Sequence, residues 1–401
     1  MNNCTLTFQV KDGTCFAVET DGKTTLEAAF ADGILTVSAL YSRFEKPLTL
    51  RADAKTGDTA CLTLRDYRIE LAVNGKQLDE EWPFGDALFE GGRLTEQTPV
   101  TVGEIPADEE VPAFCGSFTG AEGWYPGDGV FVGDCMPYCD GERYHVLYLK
   151  DRHHHGSKWG KGAHQWAHIS TTDLVHWDVH PMAVEIDDPA EGSICTGSWI
   201  YVNGVHQLYY TVRMADGSSA PIMRSLSDDG YHYKKDKNFK FLLSELYTGA
   251  SARDPKVVMA EDGTMHMFVT TTEAATRKGC LVHLVSEDGD NWCETGMIYT
   301  APDGNEPECS DYFALDGRYY LIFSHHGRGE YRISDKPFTD WREPAEKYIP
   351  CHSVPKAAIW HDRILFAGFK GIGGYGGSMT FLEAVTDENG EMNYIPVKEM
   401  E

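Results

Sequence analysis

The chain has 401 residues, 42% hydrophobic and 24% charged, the composition of a globular protein with room for two or three domains. A formal net charge of −27 repels phosphate backbones and argues against nucleic acid as a partner, whereas a neutral or cationic ligand fits. The sequence opens without a basic region and apolar core, no apolar run reaches the length of a membrane span, and the 11 cysteines are odd in number and scattered. The expectation is therefore a reduced, cytoplasmic chain with no signal peptide, no membrane contact, no zinc pattern and no cofactor.

Residues 1–112 read as short alternating strands: Thr5–Phe8, Ile34–Val37, Cys61–Leu64, and a hairpin from Arg68 to Val73 turning at Asn74-Gly75. This predicts a β-sandwich whose role is to pack against the C-terminal domain. Gly103 to Pro112, with Pro106 and several acids, reads as the linker.

From about residue 113 to 401 a repeat sets in. Asp140-Gly141, Asn203-Gly204, Asp262-Gly263, Asp316-Gly317 and His361-Asp362 each precede an apolar, aromatic run. Such pairs between apolar runs are strong hairpin signals. A second element, a Ser/Asp-rich turn leading to an aromatic, follows at Ser170–Trp177, Ser225–Tyr231, Ser286–Trp292 and Ser334–Trp341. Five units, most with both elements, predict an all-β chain whose second domain is a five-bladed β-propeller of four-stranded blades.

Three units are headed by an acid: Asp134, Asp254 and Glu308. Carboxylates at one position of a repeat can converge on one axis, and two converging carboxyls are the minimum equipment for cleaving a glycosidic bond. Asp128 and Glu306 are neighbours that compete for these roles. The stretch from Asp151 to Trp166 is dense in His, Trp and Lys. Within it Lys158 offers an ammonium and Trp159 a stacking platform, His153, His154 and His155 offer hydrogen bonds to sugar hydroxyls or an anionic group, and His164, Gln165 and Trp166 follow at the expected pocket edge. No ligand spacing closes a metal site there. Thr196 and Ser198 head the second unit and are expected to line the channel. His325 and His326 carry no assigned role. Gly371–Gly377 has no following helix and is not read as a phosphate loop.

Together these motifs resemble glycoside hydrolase family 32, the invertases, levanases and other β-fructofuranosidases. Arg253-Asp254-Pro255 is similar to the family's Arg-Asp-Pro motif. Glu308-Cys309-Ser310-Asp311-Tyr312-Phe313 is similar to its Glu-Cys-Pro-Asp-Leu-Phe block. Trp159-Gly160, Trp166-Ala167-His168 and Ser170 to Trp177 are similar to its Trp-Gly, Trp-Gly-His and Ser-x-Asp-Leu-x-His-Trp stretch. The likeness covers roughly residues 124 to 345. It departs at Val132-Gly133-Asp134-Cys135, where the family's asparagines are missing, at Cys351–Lys356 in the fifth unit, and in placing the sandwich before the propeller. The resemblance implies retaining hydrolysis of a small oligosaccharide. Asp134 would be nucleophile, Glu308 acid and base, and Asp254 the binder of sugar hydroxyls, with Arg253 placing and ionising a carboxylate. A propeller glycosidase or phosphorylase of other specificity, and a carbohydrate-binding propeller without catalysis, remain open on sequence alone.

Overall fold

The computed structural model describes residues 3–65, 68–83, 85–105, 123–124, 126, 130–152, 164–188 and 190–400. Alternating apolar and polar residues near the N-terminus build two five-stranded antiparallel sheets. One orders Val100–Gly103, Cys4–Gln9, Thr59–Leu64, Ile69–Val73 and Lys76–Glu81; the other orders Leu48–Asp53, Ile34–Ala39, Lys23–Ala31, Gly13–Thr20 and Arg93–Glu96. The period of two sends every second side chain inward. Leu6, Phe8, Phe16, Val18, Val37 and Leu62 meet there in a core of their own.

The remaining strands form five antiparallel blades. Blade 1 holds Val130–Cys139, Tyr144–Arg152, Gln165–Thr171 and Asp178–Val184, and blade 2 holds Glu191–Val202, Val205–Met214, Ile222–Ser227 and Lys234–Phe241. Blade 3 holds Arg253–Met259, Met265–Thr272, Gly279–Ser286 and Cys293–Thr300. Blade 4 holds Glu308–Leu315, Arg318–His325 and Arg328–Ser334, and blade 5 holds Ser353–Trp360, Arg363–Gly371, Gly377–Thr386 and Met392–Ile395. The first strands touch one another in cyclic order, and the first strand of blade 1 meets that of blade 5. The ring is closed by backbone pairing of Val132 with Gly377 and of Trp124 with Met379. The result is a five-bladed β-propeller beside a β-sandwich.

Each of the five interfaces between blades has its own apolar seam. Trp166 with Tyr210 lies in the seam of blades 1 and 2, Tyr209 with Met267 in that of 2 and 3, and Phe268 with Leu321 in that of 3 and 4. Ile322 with Phe366 and Tyr144 with Leu365 fill the last two. The expected hairpin turns join first to second strands. At Asn203-Gly204, Asp316-Gly317 and His361-Asp362 both turn residues have positive φ, the geometry these pairs favour.

Blade 4 departs from expectation, with three strands among the described residues rather than four. After Ser334 only the isolated bridges Ile333–Arg342 and Glu330–Tyr348 remain. Pro337, Pro344 and Pro350 interrupt that segment, and proline gives no N–H to a ladder. No helix among the described residues is long and apolar enough to cross a membrane.

One local feature recurs in all five first strands. Two residues stand opposite one on the second strand between Val132 and Cys135, Ile194 and Gly197, Arg253 and Lys256, Glu308 and Asp311, and Ser353 and Lys356. Each is a β-bulge, which bends the strand and re-aims the side chains beside it.

Candidate active site

The predicted acids stand in or beside three of the five bulges. Asp134 is the second bulge residue of blade 1, Asp254 the first of blade 3, and Glu308 the last paired residue before the bulge of blade 4. The sequence suggested one shared repeat position; the structure offsets the acids by one residue each. They nevertheless line a single cavity of about 150 Å³, together with Thr196, Arg213, Arg253, Cys309 and Tyr375. A larger concavity of about 890 Å³, between blades 4 and 5, is lined by Arg328, Tyr348, Lys370 and Tyr394 and contains none of the three acids.

Asp254 is buried and fixed by several donors. Its Oδ1 accepts from Thr196 Oγ1 at 2.5 Å, and its Oδ2 accepts from the Cys309 amide at 3.0 Å, with Arg253 Nε 3.5 Å away. The Cys309 thiol sits between two acids, 3.5 Å from Asp254 Oδ2 and 3.5 Å from Asp134 Oδ2. Burial pushes that thiol well up, and the charges of Asp254 and Asp134 add to the shift, so it stays protonated and shares its one hydrogen between them.

Arg253 bridges the third acid to its neighbour. Its guanidinium donates to Glu308 Oε1 at 2.8 Å, to Glu306 Oε2 at 2.5 Å and to the Ser251 carbonyl at 2.8 Å. Burial works against the cation, but Asp254, Glu306 and Glu308 outweigh it and push the guanidinium's pKa up. Burial likewise opposes the Glu306 charge, yet Arg253 and Thr272 hold it below the usual carboxylate range. Glu306 is thus the counter-charge of Arg253. The Glu308 side chain is 52% exposed, the most open of the three acids.

Asp134 is half-buried and accepts from Tyr375 Oη at 2.8 Å, while its own amide donates to the same oxygen at 3.2 Å. Burial pushes this carboxyl up to about 6; the Tyr375 hydrogen bond opposes the shift, and the charges of Asp254 and Glu308 reinforce it. The phenol is itself pushed well up by burial and by Asp134, so it remains a donor. The raised carboxyl is therefore that of the expected nucleophile.

Residues that follow the bulges of blades 3, 4 and 5 tie the first strands to one another. Lys356 is buried and donates to the Gly197 carbonyl at 3.0 Å, while Lys256 pairs with Asp311 at 2.5 Å and Asp311 also accepts from the Ala357 amide. Two ammonium groups and one carboxylate thus stand just past the bulges, a net positive charge that offsets some of the repulsion among the three acids.

Among the predicted binding residues, Arg253 and Thr196 reach the cavity. His164 stands one step behind, stacked on Tyr375 at 5.0 Å between ring centroids and 3.2 Å from the buried Asp151. Gln165, Trp166 and Ser198 do not line the cavity. Gln165 Oε1 accepts from the Ile186 amide, and Trp166 is 0% exposed in the blade 1–2 seam with its N–H on the Cys195 carbonyl. Ser198 ties blade 2 to blade 3 through the Pro255 carbonyl and the Val257 amide. Strand alternation turns these side chains into packing faces. Lys158, Trp159, the His153–His155 cluster and Asp128 lie outside the described residues. The sequence reading missed Tyr375 and Arg213. Gly133 makes room for Tyr375 in the fold, since a Cβ there would lie 2.7 Å from the phenol oxygen.

Residues 135–346 match the glycosyl hydrolases family 32 N-terminal domain. The chain is 33% identical over 197 residues to sucrose-6-phosphate hydrolase of Bacillus subtilis, covering 45% of this chain and 40% of that protein. It is 27% identical over 194 residues to raffinose invertase of Escherichia coli, covering 46% and 39%. The chain spans about two fifths of the length of the curated relatives it matches. Among solved structures, fructan 1-exohydrolase IIa from Cichorium intybus superposes with a TM-score of 0.57 at 18% identity, covering 69% of this chain and 60% of that one. Sucrose-6-phosphate hydrolase from Lactobacillus gasseri superposes with a TM-score of 0.54 at 18% identity, covering 67% and 63%. These likenesses share the fold.

Proposed function

This chain belongs to glycosyl hydrolase family 32, and from that premise we propose that it is a retaining β-fructofuranosidase acting on a small, sucrose-type oligosaccharide. The observation that carries the reading is the single cavity faced by Asp134, Asp254 and Glu308. The relatives named for sucrose 6-phosphate and raffinose support the substrate class.

Glu308 donates a proton to the glycosidic oxygen as the bond to the anomeric carbon breaks, and Asp134 attacks that carbon to form a glycosyl ester. Water then attacks the same carbon, gives its proton to Glu308, and frees Asp134. Asp254, already fixed by Thr196, Cys309 and Arg253, offers its remaining acceptor capacity to sugar hydroxyls as positive charge develops on the ring. Tyr375 keeps Asp134 aimed and favours its charged form.

Sucrose, sucrose 6-phosphate, raffinose and 1-kestose are the substrates to assay for released fructose. Glu308→Gln should lower turnover about 10²–10⁴-fold, since it removes the transferable proton and keeps the shape. The product formed first should keep the substrate's anomeric configuration, read by NMR before mutarotation. Binding of these sugars without any cleavage would leave the carbohydrate-binding reading in its place. Arg213 in the cavity wall gives a specific reason to include the phosphorylated sugar: preference for it over sucrose should shrink in Arg213→Met.

A further inference from the structure

We propose that Asp303, His325 and His326 form a binding site for one borderline transition-metal dication of the zinc or cobalt kind. One ligand atom from each residue lies within 4.8 Å of the others. His325 Nε2 is 3.2 Å from Asp303 Oδ1, and His326 Nε2 is 2.9 Å from Asp303 Oδ2. With metal–ligand bonds of about 2.0–2.2 Å, neighbouring ligands in tetrahedral or octahedral shells sit roughly 2.8–3.6 Å apart, so each spacing fits a shell edge, with Asp303 turning one oxygen to each histidine. Two imidazoles with one carboxylate select a borderline cation over calcium or magnesium, which take oxygen ligands. Water would complete the shell, because Asp303 and His326 are exposed.

The backbone around the three ligands is already tied together. The Asn305 amide donates to Asp303 Oδ1 at 3.0 Å, and the His326 amide donates to Asn305 Oδ1 at 2.8 Å. His326 and Gly327 are the two residues of a hairpin turn with φ of 51° and 72°. Asn, Asp or Gly is the usual first residue of such a turn. Histidine stands there instead, with its ring nitrogen on the carboxylate.

The site adjoins the strand pair that carries Glu308. Ser324 is paired with Glu308, and His325 follows it directly, while Asp303 begins the loop that leads through Glu306 to Glu308. A bound cation would brace the loop that places Glu308 and Glu306. The site stands on its own geometry whether or not the cavity hydrolyses fructosides.

The test is a Co²⁺ titration, read by visible d–d absorption, of the full chain with His153, His154 and His155 replaced by alanine. That background removes the histidine run as a competing ligand set. One Co²⁺ per chain is expected, with affinity at least tenfold weaker in His326→Asn, which keeps a residue suited to the turn, and in Asp303→Asn. Zn²⁺ should raise the melting temperature of the background by several degrees and leave both variants where they are. Absence of a d–d band in the background, or an affinity in both variants equal to that of the background, overturns the proposal.

Discussion

Asp134 is the nucleophile of the proposed reaction in surroundings that disfavour its charge. Burial and two neighbouring carboxylates hold its pKa at about 6 against an ordinary value of 3.8, while the Tyr375 hydrogen bond and His164 pull it back. The acid limb of kcat/KM should therefore fall near pH 6, as Asp134 protonates. Tyr375→Phe removes the donor that favours the charged form, so the limb should move to higher pH; a limb that stays in place would detach Tyr375 from the nucleophile. The same shift sets a stability effect. The folded chain holds a proton that the unfolded chain releases, so the group's contribution is full below about pH 3.8 and is lost as the pH rises through about 6. The gap is about 2 units, or at most about 3 kcal/mol at roughly 1.4 kcal/mol per unit. Asp134→Asn should thus melt several degrees higher than the parent at pH 7.5 and level with it at pH 4, while losing turnover. A less stable variant at pH 7.5 would mean that the Tyr375 bond outweighs the repulsion. Asp254 and Glu308 were legible because they stand in Arg-Asp-Pro and Glu-Cys blocks. Tyr375 was not, because it comes from a glycine-rich run at the far end of the chain and meets Asp134 only when the ring closes.

At the scale of the strand, the bulge is the repeating device. Its first residue takes positive φ in three blades, at Asp254, Cys309 and Val354, although none is glycine. Such strain persists where the surroundings over-determine it. Hairpin turns were readable from Asp-Gly and Asn-Gly because those side chains favour the turn locally. The outer turns were readable for a similar reason. Asp173, Asp229 and Asp288 each accept two backbone amides ahead of them, in the same pattern, in blades 1, 2 and 3. The bulges left no such mark, since an extra residue in a ladder is defined by the partner strand. Gly197, just past the bulge of blade 2, shows what the partner demands. A Cβ there would lie 1.9 Å from the Tyr209 carbonyl oxygen and 2.9 Å from the Trp166 ring. Gly197→Ala must push the first and second strands of blade 2 apart next to Thr196, at a cost of about 3 kcal/mol. Chemical denaturation should show that loss, and kcat should fall with it. A midpoint unchanged from the parent would show that the first strand of blade 2 yields more easily than its packing implies.

At the scale of the molecule, the ring and the sandwich are stabilised in different ways. Every propeller seam is shared by two blades, so loss of one blade exposes two seams, and the ring should unfold as a unit. The sandwich fills its own core, and we place the boundary between the two near residue 112. Trp82 crosses that division. It follows the strand Lys76–Glu81 of the sandwich, carries the Arg68 guanidinium 5.1 Å from its ring centre, and is buried against Met136, Leu147 and Ile194 in the seam of blades 1 and 2. Its removal therefore empties space in the propeller while the sandwich core keeps all its members. Trp82→Ala should cost about 3–5 kcal/mol, the range for losing a large buried aromatic. Because the seam lies beside the first strand that carries Asp134, the transition tracked by loss of sugar cleavage should drop. In calorimetry the sandwich should then melt at its former temperature, as a second transition separated from the first. If the activity-linked transition stays in place and the sandwich transition falls instead, Trp82 serves the N-terminal domain alone, and the two units are joined by other contacts.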